Sequence, residues 1–139
     1  MLMIMKVLFK LEIEHIIQLH KLYQKEWWTE IRTLHETQKV VENSQIVIAI
    51  VDENDELEAF VRVLTDYVFK ALVFDVIVSE KYRGKGLGRE LMTLVQNHNE
   101  LQEVKHFELY CLPEMVGFYE EFGFTGELEK LIFMRRNNI

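Results

Sequence analysis

Between Glu80 and Met92 the chain reads EKYRGKGLGRELM, with glycines at Gly84, Gly86 and Gly88 and cations at Arg83, Lys85 and Arg89. An apolar run, ALVFDVIVS at 71–79, precedes this segment, and Leu87, Leu91, Leu94 and Val95 follow on one helical face. A helix start offers unpaired backbone N–H groups and the positive end of the helix dipole. Glycine lets the main chain come close to whatever binds there. This chemistry selects a phosphate-sized anion, against the plainer reading of a flexible turn with solvated cations. Two phosphate motifs do not fit. A P-loop continues Gly-Lys-Ser/Thr, whereas Gly86 follows Lys85 here. A dinucleotide fingerprint needs Gly-x-Gly-x-x-Gly near the first strand, whereas this spacing is Gly-x-Gly-x-Gly and comes late.

Asp75 interrupts the apolar run just before the glycines. A buried, unpaired carboxylate is costly, so it must be hydrogen-bonded, ion-paired or open to a cleft. Desolvation would raise its pKa toward the range of a general base. The structural alternative, a pairing with Arg62, stands level with the catalytic one. The histidines show no metal-ligand spacing, and no metal is expected.

The surrounding elements must place these groups. KVLFKLEI at 6–13 alternates as a half-buried strand, and helical patterns cover 14–23 and 36–43. IVIAIV (46–51) and residues 57–64 read as a hairpin around an acidic turn. Residues 71–79 form a central strand, the glycine segment opens a helix, and KHFELYC is the next strand. Pro113 suits a helix start and Gly123 its left-handed cap, and KLIFMRR closes as an edge strand. The order is β-α-α-β-β-β-α-β-α-β, an α/β or α+β fold with a mixed sheet flanked by helices. Its length makes residues 1–139 one expected domain.

The segment Arg83-Gly84-Lys85-Gly86-Leu87-Gly88 resembles the Arg/Gln-x-x-Gly-x-Gly/Ala motif of the GNAT superfamily of N-acetyltransferases. FELYCLPEMVGFYEEFGF resembles that family's later block ending in Phe-Tyr-x-x-x-Gly-Phe, and the likeness covers roughly 71 to 126. The resemblance implies transfer of acetyl from acetyl-CoA to an amine by direct attack in a ternary complex. Arg83 to Arg89 would hold the coenzyme A pyrophosphate. Val76, Ile77 and Val78 would run beside pantetheine, with the main chain at Val78 near the thioester. Tyr119 takes the position of the family's general acid; the alternative is a core tyrosine. Trp27 and Trp28 fall where the family borders its acceptor pocket, where they could hold an ammonium or aromatic acceptor, but ordinary packing is the preferred reading of at least one of them. Two departures stand out. Leu112 replaces a frequent asparagine, and Glu108 is out of register with the base of some protein-acetylating members.

Hydrophobic residues at 49% and charged residues at 28% match a globular domain. The lone Cys111 points to a reducing, cytoplasmic setting, and the N-terminal residues lack a signal peptide's order. A net charge of −7 argues against nucleic acid or an anionic membrane as partner. The expected partner is a small-molecule amine, and a homodimer is compatible with the sequence. A non-catalytic acyl-CoA sensor and a protein N-acetyltransferase are the alternative functions.

Overall fold

The computed structural model describes residues 4–138. Two compact units make up the chain, Met1–Leu109 and Tyr110–Ile139. In the first, β1 (Lys6–Leu8), β2 (Ile46–Val51), β3 (Leu57–Thr65) and β4 (Lys70–Val78) are successive antiparallel neighbours, and β5 (His106–Glu108) joins β4 in parallel. Helices α1 (Ile13–Gln24), α2 (Leu34–Glu42) and α3 (Leu87–Gln96) flank this mixed sheet. The α+β architecture is the expected one.

Local chemistry sets the element ends. Thr33 and Glu36 form a reciprocal capping box that starts α2, with bonds of 3.0 and 2.9 Å. At α1, the Glu12 N–H donates to His15 Nδ1 at 3.1 Å, and the opposite ring nitrogen lies 3.1 Å from both Asp55 carboxylate oxygens. The helix start is thereby pinned to the β2–β3 turn. Asp52 shapes that turn by accepting the N–H groups of Asn54 and Glu56 at 2.8 and 3.1 Å.

Leu19 and Tyr23 of α1 pack with Ala49, Val51, Phe60 and Ile77 on one sheet face. Leu91, Met92 and Val95 of α3 are buried where that helix meets β2, β3 and β4. One irregularity divides β4. Arg62 pairs with Phe74 and Phe60 with Ile77, so Val61 alone faces both Asp75 and Val76. This is a β-bulge, and Asp75 takes a left-handed φ of 58° to form it. Because side chains alternate along a strand, the extra residue exchanges the faces of β4 on its two sides. Ile77 consequently joins the α1 core. Val73, with the same odd number, pairs with Val63 before the bulge.

The sequence expectations need three corrections. The first strand ends at Leu8 rather than residue 13, because the chain turns at 9–12 into the pinned start of α1. The KHFELYC strand shrinks to β5. KLIFMRR is not a strand: it is irregular, and no partner strand pairs with it among the described residues. Its Leu131 and Ile132, which would face opposite sides, are 75% and 83% exposed, so neither side of the segment has the cover that fixes a strand's register.

In the second unit, a 3₁₀ turn at Pro113–Met115 leads into α4 (Val116–Glu120). Gly123, at φ 89°, closes it: its N–H reaches Glu120 O at 3.0 Å, and that of Phe124 reaches Tyr119 O at 3.3 Å. The Phe133 ring lies 5.1 Å from that of Tyr110, with Arg135 over both.

Candidate functional site

The glycine segment joins the end of β4 to the start of α3. Gly84 and Gly86 adopt φ of 75° and 89°, a region that other residues enter only under strain. A Cβ added at either would meet nothing within 4 Å, so open space lies beside the loop. Gly86 occupies the N-cap of α3 and brings no side chain to cap it. The first-turn N–H groups, those of Leu87 and Gly88 among them, have no carbonyl within the helix. Lys85 is exposed, its Nζ 5.5 Å from the centre of the Tyr82 ring. A backbone cradle with a positive helix end and open space in front has the chemistry for a phosphate ligand.

Arg83 is placed differently from its neighbours. Its Nε donates to Val78 O at 3.3 Å, and its guanidinium pairs with Glu26, just beyond α1. Trp27 and Trp28 follow at once, 68% and 38% exposed. Thr29 is fully buried and donates to Tyr23 O at 2.7 Å, fixing this connection between α1 and α2.

The Asp75 carboxylate is 5% exposed and heavily engaged. Arg32 binds it with two nitrogens at 2.6 and 3.1 Å, Arg62 Nε donates at 2.7 Å, and the Tyr23 hydroxyl donates at 2.8 Å. Burial raises the carboxyl's pKa, but the hydrogen bonds and charges of Arg32 and Arg62 outweigh it and hold the group below its ordinary value. The expectation of a raised, base-like pKa is therefore corrected. The opposite shift falls on Tyr23, which burial and the neighbouring Asp75 push well above the usual phenol range. Arg62 was foreseen as a partner. Arg32 and Tyr23 were not, since nothing in their spacing marks residues 43 and 52 positions away from Asp75. Asp75 nonetheless adjoins the strand residues Val76, Ile77 and Val78, of which Ile77 is buried.

In the second unit, Tyr119 is buried, with ring contacts to Phe118 at 5.0 Å and Phe124 at 6.1 Å. Burial first, and nearby Cys111 second, push its pKa up to about 12, so its hydroxyl carries a proton at neutral pH.

The acetyltransferase (GNAT) domain family matches residues 13–132. The chain belongs to the GNAT family. An N-acetyltransferase of Pyropia yezoensis, ycf52, is 27% identical over 116 residues, covering 81% of this chain and 66% of that protein. The chain thus spans just under two-thirds of that relative's length. Serotonin N-acetyltransferase 2, chloroplastic, of Oryza sativa subsp. japonica is 41% identical over 67 residues, covering 48% of this chain and 34% of the relative. A GNAT-family crystal structure from Xanthomonas campestris superposes with a TM-score of 0.82 at 28% identity, covering 96% of this chain and 93% of that one. No helix of the described GNAT chain is long and apolar enough to cross a membrane.

Proposed function

We propose that this GNAT chain transfers the acetyl group of acetyl-CoA to a primary amine of a small molecule by direct attack in a ternary complex. The observation that carries this reading is the pair of left-handed glycines opening onto space at the uncapped start of α3. The pyrophosphate of coenzyme A would take the N–H groups of that loop and first turn, with Lys85 supplying charge. When bound, acetyl-CoA supplies the activated thioester. The amine lone pair forms the C–N bond, the C–S bond breaks, and the sulfur leaves with the electron pair. Main-chain N–H groups at the end of β4, beside Val78, are the candidates to stabilise the oxyanion. Tyr119 would hand its proton to the departing thiolate, and the proton released by the attacking amine would restore it. Asp75 is not assigned the base role: its carboxylate is committed to four donor contacts and stays ionised. Its place is to hold the bulge.

A panel of arylalkylamines, polyamines, aminoglycosides, amino acids and peptides, scored by release of free CoA thiol, tests the assignment. Amine-dependent thiol release above hydrolysis supports it. Calorimetric binding of acetyl-CoA with no release on any amine would instead identify a binding module.

A further inference from the structure

The connection between α1 and α2 carries both tryptophans of the chain. It is held from below by buried Thr29 and at its far end by the clasp of Arg32 on Asp75. Its near end, which also keeps backbone bonds to the last turn of α1, is tied to the glycine motif by Glu26, whose partner Arg83 is the first residue of that motif. Arg83 reaches a third element too, through Val78 O at the end of β4. The guanidinium is thus shared between a strand end and a carboxylate. The Glu26 side chain is 17% exposed and that of Arg83 52%, so the pair is open to solvent on one side and sensitive to salt.

We propose that Arg83 and Glu26 are a positioning pair that ties the two-tryptophan connection to the glycine loop. Ordering of the loop is thereby transmitted to Trp27 and Trp28. Arg83 acts here as a strut, and the anion is left to the backbone N–H groups. The ligand-linked half of this inference rests on the acetyl-CoA reading; the tether itself does not.

Glu26→Gln keeps size and removes the charge that holds the guanidinium. Because the chain has no other tryptophan, its intrinsic fluorescence reports on this connection alone. Without any ligand, acrylamide quenching of the variant should exceed that of the wild type by about two-fold, as local opening becomes easier. Raising salt should move the wild type toward the variant. Coenzyme A is then titrated into both proteins by calorimetry and by fluorescence. The wild type should show a fluorescence change that follows the heat. In Glu26→Gln, the affinity should stay within about threefold, since backbone groups hold the anion, while the fluorescence change disappears. Equal ligand-free quenching in the two proteins overturns the tether. So does a fluorescence response retained in the variant. An affinity gain of about tenfold would also overturn it, because Glu26 would then be blocking a phosphate site on Arg83. If coenzyme A gives no heat with the wild type, the acetyl-CoA reading falls, and the ligand-free quenching still decides the tether.

Discussion

Asp75 and Tyr119 invite opposite substitutions. Asp75→Asn keeps a side chain that tolerates the left-handed φ of 58°, so the bulge geometry is not what is lost. The loss is the charge between Arg32 and Arg62, which are left as partly buried, unpaired cations. Breaking a buried pair in this way costs about 3–5 kcal/mol, and the partial exposure of Arg32 places this site at the lower end. Thermal melts should show the variant destabilised, with a normal rate per folded molecule. A stable variant that has lost activity with an acid-side pKa would restore the general-base assignment. Tyr119→Phe keeps the ring contacts and removes only the hydroxyl. Turnover should fall by about 10²–10⁴-fold with acetyl-CoA affinity little changed, if the proton donor is this group. Turnover within a factor of about two, with chemistry rate-limiting, would make the tyrosine structural.

For the elements, the glycine loop gives the sharpest test. Gly86→Val places a β-branched residue at φ 89°, where such residues are strained, and fills space that the anion would use. Calorimetry should show acetyl-CoA affinity falling by tenfold or more, equivalent to about 1.4 kcal/mol, in a protein that remains folded. Unchanged affinity would remove the loop from the cofactor site. The loop's placement was legible because local signals agree there: a continuous apolar strand, glycines, then a helical stripe. β2 and β3 were legible for the same reason, since the apolar run and acidic turn need no distant information. The bulge was not. ALVFDVIVS is apolar on both faces, so no alternation is there to register a change of face, and what sets the kink is a carboxylate met by Arg32 from the connection after α1. The closing strand failed in the opposite sense: Leu131 and Phe133 fit a strand pattern, but no neighbouring edge takes up their backbone among the described residues. Pattern reports what a strand would bury, not whether anything is there to bury it.

Across the molecule, the shifted groups shape stability against pH from both ends. Asp75 has its folded pKa depressed, so its contribution is present above the ordinary value of 3.8 and is lost as pH falls through the folded value. Tyr119 and Tyr23 have theirs raised above 10.0, so their contribution is full below pH 10.0 and drains away above it, for Tyr119 toward about 12. Glu58 works against the fold near neutrality. Burial and then Asp52 raise its pKa above 4.5, so the stability of its protonated form is lost as pH rises past that value. Melting temperature measured from pH 2 to 11 should therefore decline at both ends, below 3.8 on the acid side and above 10.0 on the alkaline side. Glu58→Gln should raise the melting temperature at pH 7 while leaving it nearly unchanged at pH 4. A variant destabilised at pH 7 would show that the ion pair with Lys81, 3.3 Å away, outweighs the burial.

The turnover of β4 at Asp75 also fixes where this chain can change length. At the β3–β4 hairpin, residues 66–69, an added residue would alter an exposed turn and leave both strands in register. Deleting Asp75 would likewise keep the register, with Val76 alone opposite Val61 and Ile77 still paired with Phe60, but it would remove the carboxylate that Arg32 and Arg62 hold. At this bulge the count of residues is open to change, but the charge is not.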